Sequence, residues 1–223
     1  MLLYIVRHGE TDLNIKGCVQ GTVDEPLNEN GVALTITTGK GLAPVRFDYI
    51  ISSPLGRAQK TAEIIMAYND WPAPPMELDP RIIEIDWGSW DALCCTAENN
   101  ELPVPREEYF RLYSDALHFE GAPDGESVQD VLKRTHDFYE DLIHREELHD
   151  KTVLISTHAC ASRAILNNVY NNKEDFWHGR VPYNCSVNIV EVVNGKSRLL
   201  EEDKIFYEKG DSDNPYDRIL QNV

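Results

Sequence analysis

The sequence predicts an α/β fold: a three-layer αβα sandwich around a mostly parallel central sheet. Two observations carry that expectation. Three short apolar runs, at residues 2–6 (LLYIV), 48–52 (DYIIS) and 151–156 (KTVLIS), read as strands buried on both faces. Helix-like segments separate them, and strands joined by helical crossovers lie parallel, with helices covering both faces of the sheet. No internal repeat, low-complexity tract or long linker interrupts the 223 residues. At roughly 100–200 residues per domain, residues 1–223 are expected to form a single domain.

Taken in order, the strand at 2–6 is followed by a loop rich in Gly, Asn and Asp to about residue 30. Asn28 is a suitable N-cap for a helix over 29–42, although threonines at 35, 37 and 38 weaken its propensity. After the second strand, Pro54 opens a helix over 55–68 with Ala58, Ala62, Ile65 and Met66 on its apolar face. A short extended piece is expected at 76–78. Residues 81–126 are the least regular part, with both central tryptophans and an aromatic helix-like stretch at 109–117. Ser127 caps a long helix to about 147, and a helix over 159–169 follows the third strand. Asn194-Gly195 between the runs at 186–193 and 197–202 is a strong hairpin signal. The segment after Lys204 is polar and carries no structural signal.

Composition narrows the function. Twenty-one Lys and Arg against 38 Asp and Glu give a formal charge of −17. A nucleic-acid partner needs a basic face, and an anionic membrane surface needs one too. Neither partner is expected. No run approaches the ~18 apolar residues of a membrane span, and the apolar start lacks a basic n-region, so a cytoplasmic location is expected. Five cysteines without CxxC spacing suggest reduced thiols, with Cys94–Cys95 as filler in or near the core. A homodimer is compatible with the sequence.

In parallel α/β sheets ligands bind at the carboxyl ends of the strands. Arg7-His8-Gly9-Glu10-Thr11 follows the first strand, Ser52-Ser53-Pro54-Leu55-Gly56-Arg57 the second, and Ser156-Thr157-His158 the third. Two histidines and two arginines therefore converge on one end of the sheet. Such a set suits a phosphoryl group: arginine forks match phosphate oxygens, and a neutral imidazole is a competent nucleophile near pH 7. A second, protonated imidazole would add a donor for transition-state charge. Gly9 would let the backbone approach the ligand. P-loop and GxSxG nucleophile-elbow motifs are absent.

These residues resemble the histidine phosphatase superfamily, the phosphoglycerate-mutase-like proteins. RHGET (7–11) is similar to its signature, and GCVQGTVDEPLNENG (17–31) to its QGxxDxPLxxxG segment. SSPLGRAQKTA (52–62) resembles SSPxxRAxxTA, EIDWGSWDA (84–92) resembles ExDxGxWEG, and STHACASRAI (156–165) resembles SHGxxxRxx. Five motifs in order over about 160 residues make the likeness specific.

The resemblance implies a phosphoglycerate-mutase-like fold, with 81–126 as a substrate-capping insertion. It implies that His8 is a nucleophile forming phosphohistidine, with Arg7, Arg57 and His158 binding the phosphoryl group. Glu84 would be the proton donor, which calls for a raised pKa, supplied by the apolar neighbours Ile83, Ile85 and Trp87. Asn14, Gln20, Gly21 and Ala159 would be substrate-binding. No metal or cofactor is implied. Ala159 stands where the family has Gly, which raises the question of a positive φ there. Asp91-Ala92 stands where the family often has Glu-Gly. Cys160 precedes Arg163 too closely for a cysteine-phosphatase loop.

EIDWGSW looks like the phosphatase branch, and few cations accompany it beyond Arg81 and Arg106. The expected function is hydrolysis of a small phosphorylated metabolite. A cofactor-dependent phosphoglycerate mutase and a non-catalytic phosphate-binding protein are the alternatives. Trp87, Trp90, Tyr109, Phe110 and Tyr113 are compatible either with an apolar wall over the phosphate pocket or with an ordinary helix core.

Overall fold

The computed structural model describes residues 1–96 and 98–211. Its apolar runs pair into one six-stranded sheet: β1 (Leu2–Arg7), β2 (Tyr49–Ser52), β3 (Met76–Leu78), β4 (Thr152–Thr157), β5 (Val187–Val193) and β6 (Lys196–Lys204). The order is β3-β2-β4-β1-β5-β6. The first four of these lie parallel, and β5 and β6 add an antiparallel hairpin at one edge. The hairpin turn is Asn194-Gly195, with φ of 51° and 70°, as a type I′ turn requires.

Side chains on alternating strand positions serve two helical layers. Leu3, Ile5, Ile51, Val153 and Ile155 pack against α5 (Val128–His144) and α6 (Ala159–Leu166). Val6, Ile50 and Leu154 face the other way, onto α2 (Glu29–Gly41) and α3 (Gly56–Ala67). Burying each such side chain contributes about 1.5–3 kcal/mol relative to exposure, which is why strands covered on both faces read as unbroken apolar runs. α5 presents Val128, Val131, Phe138, Tyr139 and Leu142 to the core and starts at a capping box between Ser127 and Asp130.

Register sets up the site. Arg7 pairs with Thr157, and Ser52 with Ser156. The residues just past β1, β2 and β4 (His8, Ser53 and His158) therefore leave the sheet at neighbouring points. Above them lies a third apolar cluster, centred on Trp87, Trp90, Tyr109, Leu112 and Trp177. It is built mainly from residues of the 81–126 segment, including α4 (Arg106–Ser114).

Several elements differ from expectation. The loop after β1 contains a short helix, α1 (Asp12–Lys16), nucleated by a capping box between Thr11 and Asn14 and closed by Gly17 at φ 66°. The aromatic helix begins at Arg106 and stops at Ser114, followed by a 3₁₀ turn at Ala116–His118. The expectation of five reduced thiols is corrected: Cys18 and Cys94, 76 residues apart, form a disulfide. A short two-chain ribbon explains it: Val19 N donates to Leu93 O, Ala92 N to Val19 O and Cys95 N to Gly17 O, which sets the two cysteines side by side. The thiol argument for a reducing compartment falls with it. Cys95, Cys160 and Cys185 are buried. No helix among the described residues is long and apolar enough to cross a membrane.

Ala92 sits in that ribbon with φ of 67° and an exposed side chain. The left-handed backbone costs an L-residue about 1–2 kcal/mol, and glycine loses about 0.5–1 kcal/mol more chain entropy on folding. Ala92→Gly is therefore expected to stabilise the protein by roughly 0.5–1 kcal/mol, read as a higher denaturation midpoint. An unchanged or lower midpoint would contradict the strain.

Candidate active site

His8 follows β1 and is 3% exposed. Its Nδ1 lies 2.7 Å from the Gly9 carbonyl oxygen, which can only accept, so Nδ1 carries the ring hydrogen and Nε2 holds the lone pair. Burial, then the charges of Arg57 and Arg7, hold this imidazole well below its ordinary value of 6.5. His8 is thus a neutral base with a defined nucleophilic atom. Its peptide is clamped by the Asn184 side chain and the Cys185 amide, which both donate to His8 O, at 3.1 and 3.3 Å.

Arg57, fully buried in the first turn of α3, donates from Nε to His8 Nε2 at 3.3 Å. Its two terminal nitrogens are bound to Val23 O at 2.7 Å and Gly21 O at 2.6 Å. Burial lowers its pKa to about 10, so it stays charged at neutral pH. Its fork therefore grips the 21–23 loop, and its Nε caps His8 Nε2. Asp91 in turn accepts Gly21 N at 2.8 Å, Val23 N at 2.7 Å and the Thr22 hydroxyl at 3.1 Å, tying that loop to the aromatic segment.

His158, the residue before α6, lies with its ring centroid 5.1 Å from that of His8. Its Nε2 is 2.8 Å from Ser53 Oγ, and burial, then Arg57 and His8, push its pKa well below 6.5. The donor that a protonated second imidazole would add is disfavoured here, because burial penalises charge on the His158 ring and Arg57 beside it adds to that penalty.

Glu84 is 6% exposed and reaches the amino end of α6. Oε1 accepts Ile85 N at 3.0 Å and Ala161 N at 3.1 Å, and Oε2 accepts Cys160 N at 3.1 Å. The carboxyl thus meets three backbone donors and not only the apolar side chains that the sequence offered. Arg134 of α5 fixes the loop behind it, donating to the carbonyls of Arg81, Ile83 and Glu84 while pairing with Glu126.

Arg7 donates from Nη1 to Pro182 O, and Asn14 Nδ2 donates to Gln20 Oε1 at 3.1 Å. Three buried nitrogens around the histidines have no protein partner: Arg7 Nε, Gln20 Nε2 and His158 Nδ1. Buried donors left unpaired are costly, and an anion resolves the cost. Arg7, His8, Asn14, Gln20, Glu84 and Ala159 line a cavity of about 50 Å³. Arg57, Gly21 and His158 stand behind that lining, where they touch or support His8.

Ala159 opens α6 in helical conformation, and no positive φ occurs there. Burial pushes the Cys160 thiol up, which disfavours a thiolate. Gly9 has a different reason from the expected one: a Cβ there would come within 2.7 Å of Thr35 Oγ1 and 2.8 Å of Gly31 O, so it serves packing against α2. At Gly21 a Cβ would lie 2.4 Å from Ile85 O, where the phosphate loop crosses the Glu84 loop. The sequence reading missed Asn184, Asp91, Arg134 and Glu126 as positioning residues.

Two outcomes follow from this geometry. Asp91→Ala frees the 21–23 loop that holds Arg57, and sub-ångström misplacement of reacting groups can cost about 10²-fold, so turnover should fall roughly that far with the circular dichroism spectrum retained. Unchanged turnover would remove Asp91 from this role. The two depressed imidazoles set a pH dependence. Below 6.5 the unfolded chain binds protons that the folded one refuses. Their contribution is therefore complete above 6.5 and is lost as pH falls below it. Denaturation midpoints at pH 7.5 and 5.5 should show the drop, and a His8→Asn, His158→Asn double variant should flatten it.

The residues from 3 to 203 match the model of the "Histidine phosphatase superfamily (branch 1)". An "Uncharacterized phosphatase PhoE" of Bacillus subtilis is 30% identical over 185 residues, covering 83% of this chain and 86% of that protein. A "2,3-bisphosphoglycerate-dependent phosphoglycerate mutase" of Bartonella quintana is 31% identical over 166 residues, 74% of this chain and 79% of that one. Among solved structures, Bacillus stearothermophilus YhfR superposes with a TM-score of 0.80 at 29% identity, covering 92% of this chain and 97% of its own. With the paired histidines, the buried arginines and the Glu84 carboxyl converging at one end of the sheet, this chain belongs to the histidine phosphatase superfamily.

Proposed function

We propose that this chain is a metal-independent phosphomonoesterase that acts through a phosphohistidine on a small phosphorylated metabolite. The observation that carries the reading is the neutral His8 imidazole, its lone pair placed on Nε2 by the Gly9 carbonyl, sharing one cavity with the Glu84 carboxyl.

In this reading a phosphate ester enters the cavity and satisfies the unpaired nitrogens of Arg7, Gln20 and His158. Arg57 Nε leaves His8 Nε2 for a phosphoryl oxygen, which uncovers the lone pair. His8 Nε2 forms a bond to phosphorus as the P–O bond to the leaving group breaks, and Glu84 passes to the departing oxygen the proton that the phosphate monoester brings in as its monoanion. The resulting Glu84 carboxylate takes a proton from water, the water oxygen bonds to phosphorus, and the P–N bond breaks to release phosphate and free His8. Two guanidiniums and the His158 ring stabilise charge on the phosphoryl oxygens, the part that Mg²⁺ plays in other phosphoryl-transfer sites.

Hydrolysis is favoured over mutase chemistry by where the cations are. A mutase must grip a second anionic group on its substrate, and Arg7 is the sole Lys or Arg lining the cavity among the described residues. Arg81 is held by Asp79 and Asp141, and Arg106 lies over the Phe110 ring and donates to Cys95 O. A purely binding role is disfavoured because the nucleophile and the proton donor are both present and face one cavity.

The test is turnover of p-nitrophenyl phosphate in excess EDTA. Wild type should turn over and His8→Ala should lose activity by at least about 10³-fold; activity surviving in His8→Ala would overturn the nucleophile. An alkaline denaturing quench of the wild type should trap a base-stable phosphoenzyme that loses its phosphate on acidification. Glu84→Gln should slow an alkyl phosphate far more than p-nitrophenyl phosphate, whose leaving group needs no proton. Equal slowing would remove Glu84 from the acid role. Incubation with 3-phosphoglycerate and its bisphosphate, scored for isomer against free phosphate, separates mutase from hydrolase.

A further inference from the structure

The same cavity has an apolar part to its lining besides the polar residues named above. Ile85, Trp87, Tyr109, Leu112, Tyr113 and Trp177 form it. Its rings are packed on each other: Trp87 and Tyr109 lie 5.3 Å apart between centroids, and Tyr113 and Trp177 5.4 Å. Three polar groups of this wall already have protein partners. The Tyr109 and Tyr113 hydroxyls bond each other at 2.9 Å, and the Trp177 indole N–H donates to Leu112 O at 2.6 Å. Burial raises the Tyr113 pKa, so its hydroxyl stays uncharged.

The cations that could have served this wall are committed elsewhere. Besides Arg106 and Arg81, whose partners are given above, Arg180 near its far edge lies over the Tyr183 ring at 4.9 Å. A carboxylate or second phosphate on the leaving group would be set against rings with no counter-charge, and burying an unpaired charge is among the costliest events in a protein. An apolar or ring-bearing group would instead replace water on that wall and gain from its burial.

From this juxtaposition we infer the substrate class: a compact phosphate monoester whose leaving group is uncharged and apolar or ring-bearing, and carries no second anionic group. The inference rests on the phosphatase reading above and makes the 81–126 segment, with Trp177, the specificity-determining part of the site. Tyr113 and Trp177 are specificity residues and not catalytic ones.

Benzyl phosphate and 3-phosphoglycerate test it, because both release an alkyl oxygen and so make a similar demand on Glu84. Wild-type kcat/KM is expected to favour benzyl phosphate by about 100-fold or more. Tyr113→Lys, which puts a cation on the wall, should shrink that ratio at least tenfold, with benzyl phosphate falling and 3-phosphoglycerate rising. In His8→Ala, calorimetric binding of the same two ligands reads the wall without the chemistry, and benzyl phosphate should bind at least tenfold tighter. Comparable kcat/KM values, or equal binding to His8→Ala, would overturn the substrate class even if the protein hydrolyses phosphate esters well. Absence of turnover in wild type together with preferred binding of benzyl phosphate would overturn hydrolysis and support the substrate class.

Discussion

The site depends on one buried guanidinium. Arg57 leaves α3 and touches three things that would otherwise have no reason to stay together: His8 beyond β1 and the carbonyls of Gly21 and Val23 in the following loop. A buried positive charge is tolerable only when its hydrogens are matched and carboxylates stand near, and Glu84, Asp24 and Asp91 supply that field. The charge also depresses both histidines. The same group therefore secures the loop and, together with burial, keeps His8 unprotonated.

Much of the scaffold was legible because its signal is local. β1, β2 and β4 are continuous apolar runs since helices cover both faces, and Asn194-Gly195 is a turn that the backbone itself demands. Arg7, His8, Arg57 and His158 were legible as a set because parallel strands carry whatever follows them to one end of the sheet. Glu84 had no such position to announce it, and only its motif singled it out. The pairings that hold the site were not legible. Asp91 acts on residues about 70 positions earlier, Arg134 on carbonyls about 50 positions earlier, and Asn184 on His8 across 176. None has a periodicity, and each depends on tertiary placement. The Cys18–Cys94 bridge belongs to the same class: it needs the ribbon between 17–19 and 92–95, whose halves look like ordinary loop.

Two side chains have surroundings that their sequence neighbours do not announce. Glu84 was expected to rely on apolar neighbours, and His158 was read as an added donor only if protonated. Each was judged from residues adjacent in sequence. Folding gave Glu84 the amides of α6 and gave His158 the charge of Arg57. Electrostatic character is set by what folding brings near, while hydrophobic character is largely carried by the side chain itself. That difference explains why strands could be read and protonation could not.

The β5 edge has a consequence for how activity appears during synthesis. The clamp on the His8 peptide comes from Asn184 and Cys185, 176 positions further along in the case of Asn184, and β1 completes its second edge only against β5. A chain on the ribosome would carry His8 through the synthesis of all those residues without the means to aim it. Catalytic competence would then wait for the β5–β6 hairpin to dock, so that chains ending before it would be silent towards phosphate esters.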